Sequence, residues 1–444
     1  MAHEVRSWWQ RLLFGASIGA LASVIAQAGN FLLGLAVART LGSDAFGHWS
    51  VIYATLLTVT SFGTLGTGVV ASKCAAELRQ EDSAATRATL SVVHSLNLML
   101  AVASSLLLFL GSDFLAGHVL GYPGAAEMLR WGSLFVLFTV LASFWAGVIA
   151  GYEAYPKQVV NNSAATVLLL GTSLLLLSRF GLVAIIGPLV LSAFVLLTAN
   201  RHAARRLNPK AARSEPGVPK PWSTTLALAL PTGAAGILTS ATFWFSTMLL
   251  LRAQGPTEVA LFAVANSLRS IALMGLMFLT SAALVIKSSA ARQRNLDSGL
   301  EDRLHLTVVG VSIAVAAALY GVTGWVLALY GPVFRDATGV VAILTVSLVF
   351  EAVGVTLYNS LVVRHRLLEN FFVAVLPREV CRVALVVALA DRGARGIAWA
   401  FLGAAALFTI ITAIEYFGFA RRAPPSTSAE DNVEAEESAK IVAN

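Results

Sequence analysis

Long apolar runs separated by short polar breaks dominate the chain, and none of them alternates in the two-residue period of a half-buried strand. A run of roughly 20 residues crosses a hydrocarbon layer of about 30 Å as a helix. Twelve such spans are predicted, over residues 14–38, 49–71, 89–111, 131–151, 159–178, 181–200, 223–251, 259–286, 305–330, 338–363, 370–390 and 396–419. Lipid offers the backbone no hydrogen-bond partners, so each run must satisfy its own peptide groups. The short alternating segments of a transmembrane barrel are not what this pattern shows. The fold class is therefore all-α, a polytopic membrane protein of about twelve transmembrane helices.

Composition agrees. Hydrophobic residues make up 57% of the chain and charged ones 12%, where soluble domains carry about 25% charged. Arg6 and Arg11 ahead of an apolar run ending in Ala26-Gln27-Ala28 imitate a cleavable leader, but the run continues from Phe31 through Ala38. A retained first span is expected.

Basic residues test the alternation of the gaps. Those on the N-terminal side of the membrane, with both ends of the chain, hold 21 Lys and Arg, and the opposite gaps hold 7. This bias predicts cytoplasmic termini in a plasma membrane. The net charge of +7 then reflects topology and contact with anionic lipid, with no nucleic-acid partner.

Residues 201–222 form the longest connection, with six basic residues and four prolines, and they read as a cytoplasmic linker. It separates an N-terminal lobe of six spans (1–200) from a C-terminal lobe of six (223–422). An even number of spans per half gives both halves the same orientation, as in parallel-repeat transporters. Arg39-Thr40-Leu41-Gly42 closes span one as Arg252-Ala253-Gln254-Gly255 closes span seven, 213 residues on. The same offset carries Arg179 onto Arg392. Residues 423–444, polar and acidic, read as a disordered cytoplasmic tail.

Five ionisable residues interrupt the spans near mid-depth: Arg269 in span eight, Glu351 in span ten, and Arg378, Glu379 and Arg382 in span eleven. A charge at the bilayer centre costs roughly 2.5–3.5 kcal/mol on the most forgiving scale. One reading is mutual neutralisation, with Glu351 paired to Arg378 or Arg382 and Glu379 paired to Arg269. The other starts from three arginines against two glutamates. The extra positive charge suits an anionic ligand, with Arg269, Arg378 and Arg382 as substrate-binding residues and Glu351 and Glu379 in pairing or ion coupling. Pro377, just before the arginine pair, predicts a kink.

The first lobe holds neutral polar groups instead. Gln27, Asn30, Asn97 and Asn161 are candidates for a polar cavity wall, against the alternative that they hydrogen-bond between helices. His94 is a lone histidine with a proton relay as its functional reading. Trp8, Trp9, Trp49, Trp131, Trp222 and Trp325 fall near span ends, as an interfacial belt would.

Other chemistries find no support. Cys74 and Cys381 lie far apart without metal-ligand spacing, so no metal site is implied. There is no GxxxxGK[ST] loop, no Ser/His/Asp set that the topology gathers, and no cofactor fingerprint. The chain reads as a non-enzyme without a cofactor.

The segment Ala38-Arg39-Thr40-Leu41-Gly42-Ser43-Asp44-Ala45-Phe46-Gly47-His48-Trp49-Ser50, followed by Gly63-Thr64-Leu65-Gly66, resembles the opening signature of polysaccharide and O-antigen flippases. These belong to the multidrug/oligosaccharidyl-lipid/polysaccharide exporter superfamily. Gly151-Tyr152-Glu153-Ala154-Tyr155 is similar to a turn of the same family. The resemblance implies two six-helix lobes around a central cavity that opens alternately to each side. It implies translocation of a polyprenyl-diphosphate-linked glycan, with membrane lipid and glycan-synthesis enzymes as partners. Many members carry an acidic residue near Trp244-Phe245-Ser246, where this chain has Ser246. A cation-coupled multidrug exporter and a non-transporting scaffold of a glycan-synthesis complex are the alternatives.

Overall fold

A computed structural model describes residues 2–80, 83–208, 222–292, 298–362 and 371–420. Most of the linker and all of the acidic tail lie outside them. Among the described residues every regular element is a helix: α1 (Ala2–Thr64), α2 (Thr67–Gln80), α3 (Ala84–Phe114), α4 (Ala125–Gly151), α5 (Tyr155–Phe180), α6 (Ile186–Leu207), α7 (Trp222–Gln254), α8 (Pro256–Arg292), α9 (Ser298–Tyr330), α10 (Thr338–Val362), α11 (Leu376–Leu389) and α12 (Gly393–Glu415), with short 3₁₀ and π turns between some of them. Among the described residues, nine apolar helical stretches are long enough to cross a membrane, and three of them, Val24–Thr64, Tyr155–Leu207 and Phe371–Gly418, each cover all or most of two predicted spans. The pattern of twelve crossings is thus accommodated, and the chain is a multi-pass membrane protein.

Two boundaries differ from the hydropathy reading. The gap expected at residues 39–48 is almost wholly helical, because a single residue, Gly42 (φ 88°, ψ 177°), turns the chain between spans one and two. Span two, expected to run to residue 71, breaks at Leu65 and Gly66, both with positive φ, and α2 leaves at a new angle. Glycine tolerates that region freely, whereas Leu65 pays a steric cost there.

Side-chain burial is inverted relative to a soluble bundle. Leu107, Leu175, Leu306 and Trp325 are each more than 70% exposed, where lipid would cover them. Trp131 and Trp222 are exposed as the belt requires, but Trp49 is buried and stacks on Tyr53, 5.5 Å between ring centroids. It packs inside the bundle, and its place near a span end is incidental.

Within the first half, α1 packs on α3, α4 and α5, and α4 packs on α2 and α6. The close approach of α2 and α4 relies on Gly147, whose place leaves no room for a side chain against the Gly68 backbone. In the second half α10 packs on α8, α9 and α12, and α11 lies against α7 and α12. The halves meet through α1 against α7 and α8. At the face opposite the termini, here called distal, Tyr330 of α9 sits among Phe31 and Phe46 of α1, at 5.4 and 6.1 Å. Its hydroxyl donates to the Phe31 carbonyl at 3.2 Å, so the distal interface is closed.

The internal duplication is visible in the backbone. Gly42 and Gly255, 213 residues apart, share φ +88°. Gly181 (φ 65°, ψ −151°) and Gly393 (φ 67°, ψ −154°) make the same turn at the ends of the fifth and eleventh spans.

Candidate functional site

Helix α11 carries its charges inward. Arg378, Glu379, Arg382 and Val386 are buried, while Val380 and Val387 are about 60% exposed on the opposite side. With apolar residues facing lipid, ionisable groups are tolerated only on the face turned into the protein. Immediately before α11 lies a π turn, Phe371–Val375, and Pro377 occupies the first turn of the helix. A proline there lacks the amide that the ladder would use, and a π turn is one way of absorbing the mismatch.

Glu379 is the centre of the site. Its Oε1 lies 2.6 Å from an Arg378 guanidinium nitrogen and accepts a second bond from Arg378 Nε at 2.9 Å. Its Oε2 lies 2.9 Å from Arg382 Nη1. From α7, Thr239 donates to Oε1 at 3.2 Å and Thr242 donates to Oε2. The Thr239 hydroxyl also accepts from Arg378 Nη2 at 3.1 Å. One carboxylate is therefore saturated by two arginines and two hydroxyls, and the triad retains one positive charge.

A second pair lies nearby. Arg269 of α8 bridges to Glu351 of α10, and its Nη1 donates to Asn266 at 3.2 Å. The aromatic face of α12 links both groups. Phe401 lies 4.6 Å from the Arg382 guanidinium and 5.7 Å from that of Arg269. Phe408, two turns further on, lies 4.9 Å from Arg378. Cation–π contacts of this kind contribute roughly 0.5–2 kcal/mol, more where water is excluded. The Nε atoms of Arg269 and Arg382 are buried and have no hydrogen-bond partner.

The pairings expected from the sequence are thus exchanged. Glu379 pairs with Arg378 and Arg382 on its own helix, and Glu351 pairs with Arg269. The long arginine arms curl around α11, so a neighbour in sequence is within reach although it starts on a different face. Thr239, Thr242, Phe401 and Phe408 were not signalled. Membrane hydroxyls are too common to stand out, but the seven-residue spacing of the two phenylalanines marks one helix face.

The polar residues of the first lobe do not converge on these charges. Asn97 is fully buried, and its amide donates to Thr67 Oγ1 at 2.9 Å and to the Val140 carbonyl at 3.1 Å. It fastens α3 to α2 and α4 and lines no open wall. Asn161 donates to Asn200 at 2.9 Å, and Asn30 accepts from Tyr53 at 3.3 Å. Gln27 is half-buried on α1. The His94 ring packs on Phe144 and Trp145, at 4.7 and 5.3 Å.

Helix α7 stands between the charges and the first lobe. Thr239 and Thr242 face α11, while Ser240 lies 2.9 Å from the Ser61 hydroxyl and Trp244 Nε1 donates to Thr55 at 2.9 Å, both on α1.

The family model described as polysaccharide biosynthesis protein matches residues 12–285. The chain belongs to this family. The match runs from the first span into the eighth and so includes the junction between the two lobes. No curated protein matches the sequence closely enough to count as a relative. Among solved structures, an inward-facing multidrug resistance MATE transporter of the MOP superfamily is similar, with TM-score 0.72 and 16% identity, over 91% of this chain and 99% of that one. The lipid II flippase MurJ in an inward closed conformation also gives 0.72, at 11% identity, over 89% and 87%. An outward-facing MATE transporter gives 0.65 at 16% identity, over 94% and 97%. These likenesses establish the exporter fold.

Proposed function

We propose that this chain is a non-enzymatic flippase of the plasma membrane, with cytoplasmic termini, that moves a polyprenyl-diphosphate-linked glycan by alternating access. The observation that carries the reading is the residual positive charge of the Arg378–Glu379–Arg382 triad, held inside the span region of a polysaccharide biosynthesis protein. A diphosphate is the part of such a substrate that lipid excludes most strongly, and arginine is the side chain best matched to it. The polyprenyl chain stays in lipid while the glycan and diphosphate pass between the lobes. Closure of the distal face leaves the substrate to enter from the side of the termini, and the better superposition on the inward-facing than on the outward-facing MATE form has the same sense.

The multidrug exporter reading is favoured by the equal fold similarity to a MATE transporter. It calls for acidic residues left free to bind a cation, whereas Glu351 and Glu379 are both engaged by arginine.

Reconstitution into liposomes with a fluorescent polyprenyl-diphosphate oligosaccharide tests the proposal. Protein-dependent transfer between leaflets, read by accessibility to a membrane-impermeant quencher, is expected, with a neutral polyprenyl glycan moved at least tenfold more slowly. Equal transfer of both lipids, or transfer of neither, contradicts it.

A further inference from the structure

Two arginines at the distal ends of the lobes make the same contact in opposite directions. Arg39, at the end of span one, crosses to the second lobe, where its Nε donates to the Leu329 carbonyl and its Nη2 to the Ala328 carbonyl at 3.3 Å. Arg252, at the end of span seven, crosses to the first lobe, where its Nε donates to the Val119 carbonyl at 2.8 Å and its Nη2 to the His118 carbonyl. The donors are 213 residues apart and both acceptor pairs 210 apart, with the same nitrogen on the corresponding carbonyl. Between them Asp44 accepts a hydrogen bond from Thr257, again 213 residues away, so each is the other's counterpart in the repeat. Gly47 beside this point has no space for a side chain against the Pro256 carbonyl, which fixes how closely the lobes approach.

We propose that Arg39 and Arg252 are a twofold pair of latches that hold the distal face shut and must both release when that face opens. The carbonyls they engage lie in the π turn that follows α3 and in the last turn of α9, where no further turn of helix supplies amide partners. The partial negative charge at a helix C-terminus adds to the attraction for a guanidinium. Both arginines are exposed residues, so the distal aqueous phase can rehydrate arginine and carbonyls once the lobes part. That makes the latch reversible, unlike the charges buried around α11. Each latch joins one lobe to the other, so it stabilises only the closed arrangement, and the two contribute independently to one equilibrium. The inference does not depend on what the chain carries.

The test uses the full chain in nanodiscs with Cys74→Ser and Cys381→Ser, and spin labels on Glu127→Cys and Asp336→Cys, exposed positions at the distal ends of the two lobes. Double electron–electron resonance then reads the ratio of distally open to closed protein. Arg39→Ala and Arg252→Ala are each expected to raise that ratio roughly two- to fivefold, and the double variant by about the product. Arg39→Lys and Arg252→Lys, which keep the charge but cannot bridge two carbonyls, are expected to fall between. Arg179→Ala, which removes another exposed distal arginine, should leave the ratio unchanged. A double variant with unaltered melting and elution but the unmodified distance distribution overturns the proposal, as does an equal shift from Arg179→Ala. Should the double variant fail to fold, the single variants decide by the same ratio.

Discussion

Arg382 lies 2.9 Å from Glu379, one turn along α11, and Arg378 lies 2.6 Å from the same carboxylate, so the two guanidiniums share the triad's residual charge. Glu379 has only 1% of its surface exposed, so its ionised form depends on the arginines and threonines around it. Removing one member of a buried ion pair typically costs about 3–5 kcal/mol, because the other is left charged and unpaired.

Glu379→Gln leaves two guanidiniums side by side against α7. Its melting temperature in detergent should fall sharply. Adding Arg382→Gln should restore part of the loss, since the second substitution removes the charge that the first stranded. A double variant no more stable than Glu379→Gln alone would show that the two residues are not coupled.

Arg269 and Glu351 form a pair without residual charge, between α8 and α10. Here the sign of each partner should matter less than their opposition. Arg269→Glu and Glu351→Arg should each destabilise the protein by several kcal/mol on the scale of about 3–5 for a broken buried pair. The combined exchange should recover most of that loss in the same melting assay, while retaining glycan transfer above either single variant.

Asn97 is fully buried between α2, α3 and α4. Asn97→Leu should lower stability by roughly 0.6–2 kcal/mol, the range of interhelical hydrogen bonds in membranes. Transfer per folded molecule should remain within twofold of the unmodified protein. A selective loss of transfer at normal stability would place this residue in the substrate path instead.

Much of this arrangement is legible in the sequence because hydropathy is a one-dimensional property. The twelve crossings, the repeat relating Arg39 to Arg252, and the depth of the five charges all follow from position along the chain. The partners do not, because they depend on helix rotation and crossing angle. Arg378 and Glu379 are adjacent on the helix, so their side chains start about 100° apart on the α-helical wheel, and only the bend of the arginine arm brings them together. Trp49 misled for a related reason. Its place near a span end says nothing of whether it faces lipid or the other helices. The role of Arg39 was hidden too, since its partners are backbone carbonyls, which every residue possesses.

The proposed role of the residual charge on α11 is recognition of a lipid diphosphate. It is tested most directly by measuring the affinity of the purified protein for a polyprenyl diphosphate and for the corresponding neutral polyprenol, with and without Arg378→Gln. Charge-assisted bonds of about 1.5–3 kcal/mol correspond to a loss of roughly 10- to 150-fold for the diphosphate on that substitution, with polyprenol affinity unchanged. Equal diphosphate affinity in a folded Arg378→Gln protein would rule that role out.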